Sequence, residues 1–313
     1  MKYFFAVCLI IIAISCNNST GKEEHTTKSA TAEDSYEAIG LLGDTLRSAE
    51  PSEELLQRYL EKKAIYDSLP DDLDNLIWFG RFTAYKGDYR KAIEIYSEGL
   101  KKFPNESRLL RHRGHRYISI REFDKATKDL GRAAKLIEGK ENQTEPDGMP
   151  NARNIPVSSM HGNIYYHLGL AYYLKQDMRN ALEAYKKCLE TSTSPDNVVS
   201  ATHWIYMINR RMGRLETADQ YLQNISADMD VIENDAYHTA CLVYKGIIEA
   251  DDVYEPGAEE SPSGSALKYA IGNWHFYNGE RDKARQIFEE IVAGKDWASF
   301  GFIAAESDLN NYF

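Results

Sequence analysis

The sequence predicts an all-α solenoid of stacked antiparallel helix pairs with a C-terminal capping helix, and three observations carry that expectation. Small residues recur at a fixed period: Gly80 to Gly114 and Ala92 to Ala126 are each 34 positions apart. Between the two small residues of each unit stands a turn, Gly87-Asp88-Tyr89 in one and Glu122-Phe123 in the next. At 43% apolar residues in 313 the chain can build a core, but one helix pair cannot bury its own apolar faces, so copies must stack.

The N-terminus begins Met1-Lys2, followed by an apolar run from Tyr3 to Ile14 and then Ser15-Cys16. That run is shorter than the roughly 20 residues a membrane-spanning helix needs, so residues 1–15 read as a secretory signal. The segment Ala13-Ile14-Ser15-Cys16 resembles the lipobox of bacterial lipoproteins. That resemblance implies that Cys16 is acylated, with palmitate or a similar chain, and becomes the first mature residue. It also implies a lipoprotein of the bacterial cell envelope, outer membrane above all, touching the membrane only through its anchor. Residues 16–35, mostly Asn, Ser, Thr, Lys, Glu and His, read as a flexible tether. Cys188 and Cys241 are then the thiols left in the folded part, too few for a disulfide framework.

Residues 36–72 read as a degenerate leading repeat, with helices at Ala38–Ala49 and Glu53–Leu69, the second entered through Pro51-Ser52 and left at Pro70. The solenoid proper spans 73–311. Leu76, Phe79, Gly80, Ala92 and Tyr96 mark its first repeat, and Leu110, Gly114, Ala126 and Leu130 its second. The next markers, Gly169 and Ala181, come 55 positions later, so an insertion lies at about 139–160. Its Pro146, Asp147-Gly148, Pro150 and Pro156 lock backbone angles and favour turns. The expectation is a shaped loop over the binding face, with Asn151, Arg153 and Asn154 turned toward Arg111, His115 or Tyr166. A fourth repeat carries Trp204, Gly213 and Ala218, with Tyr206 where the others have glycine, which predicts a slightly splayed pair. The fifth is degraded, its first helix at Ala236–Ile248 running into an acidic loop from Asp251 to Gly264. Register returns at Gly272, Gly279, Ala284 and Phe288, and a helix at Ala298–Asn310 reads as a cap.

From Tyr165 to Tyr185, the residues Leu168-Gly169, Tyr172, Ala181 and Tyr185 have the spacing W-x2-L-G-x2-Y followed by A-x3-F. The chain therefore resembles the tetratricopeptide-repeat (TPR) family, over about residues 73–291, and its insertion resembles that of uncharacterised bacterial TPR proteins. The resemblance implies a right-handed superhelix whose first helices line a concave groove for a peptide or partner protein. It places Gly80, Ala92, Gly114, Ala126, Gly169, Ala181, Ala218, Gly272 and Ala284 at helix crossings. The groove would be lined by Arg81, Tyr85, Arg108, Arg111, His112, His115, Tyr166, His167, Tyr173, His203, Trp204, Arg210, Arg211, Tyr237, His238, Tyr244 and Asn273, with Arg153 added from the insertion. Basic and aromatic types dominate, although the net charge is -11, which suits an anionic or aromatic ligand. The plainer alternative is that these groups are solvated or paired with neighbouring acids.

The lysine and asparagine clamp of eukaryotic chaperone-binding repeats is not reproduced, its matching positions beginning with Ile77 and Arg81. His112, His115, His167, His203 and His238 recur at nearby positions and with Glu145 or Asp147 offer zinc-ligand types, but the spacing is generic. No metal and no cofactor are expected. The H-E-x-x-H, G-x-S-x-G and P-loop patterns are absent, and an acidic pI near 5.3 argues against nucleic acid. The expected function is a non-catalytic scaffold that holds a peptide or protein. The alternative is a small-ligand binding protein or enzyme accessory whose site the 139–160 loop closes.

Overall fold

The computed structural model describes residues 36–254 and 262–313. The signal segment, Cys16, the tether and the centre of the acidic loop lie outside the described residues.

The described chain opens with a hairpin instead of the expected helix. β1 (Ala38–Ile39) and β2 (Thr45–Leu46) pair antiparallel. The reason is local: Gly40 and Gly43 would each cost a helix about 1 kcal/mol, and Gly43 takes a left-handed φ of 96° in the connecting turn. One helix, α1 (Glu53–Ser68), follows, and its N-cap Ser52 accepts the Leu55 amide through its hydroxyl.

Then come the paired helices: α2 (Leu73–Tyr85) with α3 (Tyr89–Lys102), α4 (Ser107–Ser119) with α5 (Phe123–Ile137), and α6 (Met160–Leu174) with α7 (Met178–Glu190). They continue as α8 (Pro195–Arg211) with α9 (Leu215–Leu222), α10 (Asp235–Tyr244) with the single turn α11 (Ala250–Val253), and α12 (Pro262–Tyr277) with α13 (Arg281–Val292). The helices of a pair cross at small residues. A Cβ added to Gly80 would strike the Tyr96 ring, and one added to Gly114, Gly169 or Gly272 would come within 2.6, 2.7 and 2.7 Å of Leu130, Tyr185 and Phe288. Ala92, Ala126, Ala181, Ala218 and Ala284 are all buried beside these contacts. In the fourth pair Tyr206 takes the glycine position, and its ring stacks on Tyr244 of α10 at 4.4 Å.

Each first helix from α2 to α12 ends the same way, on a residue with left-handed φ: Gly87, Arg121, Gln176, Gly213, Gly246 and Gly279. The following amide then returns to the helix, as from Asp88 to the Thr83 carbonyl at 3.1 Å and from Asp177 to that of Tyr172 at 2.9 Å.

The last helix, α14 (Phe300–Tyr312), packs on α12 and α13 and caps the array. It also reaches α4, α6 and α8. Phe300 lies 5.3 Å from the His115 ring and 5.6 Å from that of His167. Ser307 donates to the Leu174 carbonyl at 2.9 Å, and Asp308 accepts from Arg211 Nη1 at 2.9 Å. Glu306 accepts from Arg121 Nε at 2.8 Å and from the Leu41 amide of the hairpin at 2.9 Å.

The insertion crosses the first helices as a strap. Thr144 and Ser159 bridge antiparallel at its base. Arg58 of α1 donates to the Gly148 carbonyl at 2.6 Å, Arg81 of α2 to that of Pro146 at 2.7 Å, and Asn163 of α6 to Glu145 at 2.8 Å. Its far end differs from expectation. Asn151 donates to Glu233 and Arg153 grips Asp230 at 2.7 and 2.6 Å, both acids of the α9–α10 connection, while Asn154 sits in a left-handed turn. Those acids lie about 80 positions downstream, where a repeat period says nothing about a loop's direction. Glu145 instead meets the inner helices, 3.3 Å from Arg111 and 3.5 Å from His112.

Candidate functional site

Two cavities share a wall made by α4. The smaller, about 100 Å³, lies between α2 and α4 and is lined by Arg81, Tyr85, Arg111, His112, His115 and Arg116, with Ala84 and Tyr96 behind. The larger, about 370 Å³ and open to solvent, is bounded by His115, Arg116, Tyr89, Tyr237, Asp296 and Phe300 among others, so α4, α10, α12 and the entry to α14 line it. Helical spacing explains the wall, since Arg111 with His115 and His112 with Arg116 are two i, i+4 pairs on adjacent rows of one helix.

Arg81 lies over the Trp78 ring at 4.4 Å and donates through Nε and Nη2 to the Tyr85 hydroxyl at 3.3 and 3.1 Å. Arg111 Nη1 meets His112 Nδ1 at 2.8 Å, and Arg116 Nη2 meets His115 Nδ1 at 2.6 Å. Burial, and then the arginine charges, hold His112 and His115 well below the ordinary histidine value. Both rings are therefore neutral at pH 7. A guanidinium has no lone pair to offer, so Nδ1 accepts and the ring proton resides on Nε2. Burial also pulls Arg116 below the usual arginine value.

The residues expected to line a groove divide into three groups. Arg81, Arg111, His112, His115 and Tyr237 face the cavities, and His167 packs its ring 4.2 Å from that of His115. A second group is core. His203 is fully buried, stacked 4.6 Å from Tyr237, and burial pushes it down to about 3. Trp204 stacks on Tyr185 at 5.6 Å and donates to the Tyr166 hydroxyl, which also meets that of Tyr237 at 2.8 Å. Asn273 is fully buried and accepts from Arg211. The third group sits at edges with partners of its own: Arg108 with Asp74 and Glu106, Arg153 with Asp230, Arg210 with Asn278, and His238 with the Ser226 carbonyl. Arg116, Tyr89 and Phe300 were missed by the sequence reading. The signal for Arg116 was its place one turn after His112; Phe300 had none, because a capping helix is not expected to turn inward.

The repeated crossing of paired helices at small residues, with the same left-handed turn inside each pair, now meets an independent finding: residues 162–194 match the tetratricopeptide-repeat family model. The α6–α7 pair is a tetratricopeptide repeat, and the array around it has the fold of a tetratricopeptide-repeat solenoid. Over 155 residues the chain is 26% identical to the BBSome complex member BBS4 of Bos taurus, covering 50% of this chain and 25% of that protein, so it spans about a quarter of the relative's length. Among solved structures, a tetratricopeptide repeat protein from Parabacteroides merdae is 17% identical with a TM-score of 0.48, over 80% of this chain and 92% of that one. YrrB, described as a TPR protein with an unusual peptide-binding site, is 15% identical with a TM-score of 0.42, over 76% and 95% of the two chains. Tetratricopeptide repeats form interaction scaffolds, and here the inner helices of that scaffold carry the two cavities.

Proposed function

We propose that this is a non-catalytic, lipid-anchored scaffold of the bacterial envelope, outer membrane above all, which holds a peptide or partner protein against the first helices of its repeats. The observation that supports it is the open cavity of about 370 Å³ lined by α4, α10, α12 and α14, with Tyr89, Tyr237 and Phe300 offering flat apolar area beside Arg116. The anchor is Cys16, at the end of its lipobox-like segment. No helix of the described residues is long and apolar enough to cross a membrane. Affinity capture from native envelope with the acylated protein tests the scaffold, the expected outcome being a partner lost on Tyr237→Ala or Phe300→Ala. Recovery of the same proteins with both variants contradicts it. Labelled palmitate should enter wild type but not Cys16→Ser, and a wild type released as a soluble protein contradicts the anchor.

A second reading has its own support. Glu145 of the 139–160 strap lies against Arg111 and His112, and Phe300 of α14 against His115 and His167, so the inner helices are covered from both and the compact hollows left between suit a small ligand better than a long extended peptide.

A further inference from the structure

The small cavity between α2 and α4 holds an excess of positive charge. Three guanidinium groups, those of Arg81, Arg111 and Arg116, face it, and among the described residues the one carboxylate within ion-pair distance of any of them is Glu145, 3.3 Å from Arg111. Among the described residues, Arg81 and Arg116 have no carboxylate within that distance: Arg81 is held by a carbonyl, a tyrosine hydroxyl and an indole face, and Arg116 by a neutral imidazole and the Tyr89 ring. Arg111 is 8% exposed, and its Nε has no hydrogen-bond partner. Buried charge is costly unless paired, and such an arginine normally finds an acceptor.

The neutral histidines sharpen the point. By accepting from Arg111 and Arg116 they fix the planes of both guanidinium groups and add no positive charge of their own. The result is a set of N–H donors held in place, with the Glu145 carboxylate beside Arg111 and none within ion-pair distance of Arg81 or Arg116 among the described residues. A cavity of about 100 Å³ has room for a group of a few heavy atoms, and His115 and Arg116 line both it and the adjoining 370 Å³ cavity, which has aromatic walls.

We propose that the Arg81–Arg111–Arg116 cavity receives the anionic group, phosphate or carboxylate, of a small organic ligand whose body lies in the adjoining cavity beside Tyr89, Tyr237 and Phe300. This rests on the small-ligand reading. The shared chemistry is a planar or tetrahedral oxyanion matched to guanidinium forks; the larger cavity adds apolar contact that inorganic anions lack.

The test is thermal denaturation of the full chain with increasing sodium phosphate or sodium benzoate, each against sodium chloride at the same ionic strength. A saturable rise in Tm with either probe, absent with chloride, supports the site. Phosphate alone acting assigns a phosphate group, and benzoate alone assigns a carboxylate with an aromatic body. Arg116→Gln and Arg81→Gln, each shown folded by circular dichroism, should weaken the apparent affinity about tenfold or more, the loss expected for one charge-assisted hydrogen bond. Arg81 is partly exposed, so Arg81→Gln carries the test should Arg116→Gln fail to fold. No response of wild type to either probe, or the same response in a folded variant, overturns the proposal. Capture of a protein partner from the envelope is read separately, so the scaffold reading and this site fail independently.

Discussion

Arg121 and Gln176 occupy left-handed turns, with φ of 64° and 61°, at the position where other repeats have Gly87, Gly213 and Gly279. A side chain there costs about 1 kcal/mol, and both side chains are used: Arg121 holds Glu306, and Gln176 bonds Ser307 at 3.1 Å and the Tyr312 hydroxyl at 2.9 Å. Gln176→Ala loses those bonds and keeps the strain, whereas Gln176→Gly loses the bonds only. The glycine variant should therefore be the more stable of the two by about 1 kcal/mol in urea denaturation; the reverse order would deny the turn its left-handed strain. The histidines give a pH dependence of definite sign. His203 is fully buried and held at about 3, below its ordinary 6.5, so the unfolded chain binds more protons between those values. Its contribution is fully present above pH 6.5 and is lost as pH falls toward 3. Between pH 6.5 and 5 the loss from His203 alone is roughly 2 kcal/mol, and His112, His115 and His167, lowered mainly by burial, act in the same direction. His203→Asn, if folded, should flatten that fall in a urea titration repeated at the two pH values; an unchanged slope would show that His203 is not neutral in the fold. Small residues at crossings were legible in the sequence because period and size point to one contact, as at Gly169 and Tyr185. His203 was not, since a first-helix position tells which helix carries a residue and not whether Tyr237 and Tyr244 will cover it.

At the level of elements, the strap was legible as a rigid insertion but not as a bridge. Its prolines and Asp147-Gly148 announce turns, while its anchors, Arg58, Arg81, Asp230 and Glu233, are scattered through the chain and share no spacing. The anchors also differ in strength. Arg153 and Asp230 are an exposed pair, with side chains 46% and 71% accessible, of the kind that contributes about 0.2–1 kcal/mol. Glu145 is 3% exposed and sits against Arg111, so its removal leaves buried positive charge without a counterpart. Glu145→Ala should cost about 3 kcal/mol or more and Arg153→Ala about 1 kcal/mol or less. Equal costs in urea denaturation would mean that the buried end holds the strap no more strongly than the exposed one. The hairpin at β1 and β2 is the opposite case. Its glycines were visible, but the carboxylate that accepts the Leu41 amide comes from Glu306, at the other end of the sequence.

Over the whole described unit, that contact changes the kind of cooperativity to expect. In an open array each repeat touches only its neighbours, so damage at the C-terminal cap stays local. Here Glu306 of α14 accepts from Leu41 in the hairpin and from Arg121 in the α4–α5 turn, and Trp297 donates to the Arg47 carbonyl at 2.7 Å. Both ends of the unit thus meet on the second repeat. The Arg121 and Glu306 side chains are 3% and 2% exposed, so removing one partner leaves a buried charge alone, at a cost of about 3–5 kcal/mol. Replacing both with apolar residues of similar size removes the charges together and should recover most of that loss. Hydrogen exchange then distinguishes a closed unit from an open one. Glu306→Ala should lower amide protection in α14 and equally in residues 37–46, while α6 and α7, which lie between them in sequence, change less. Arg121→Met combined with Glu306→Leu should restore protection in α14, but not fully at Leu41, whose amide loses its acceptor. If Glu306→Ala lowers protection in α14 and α13 alone, the array is open in solution and the hairpin contact does not couple its ends.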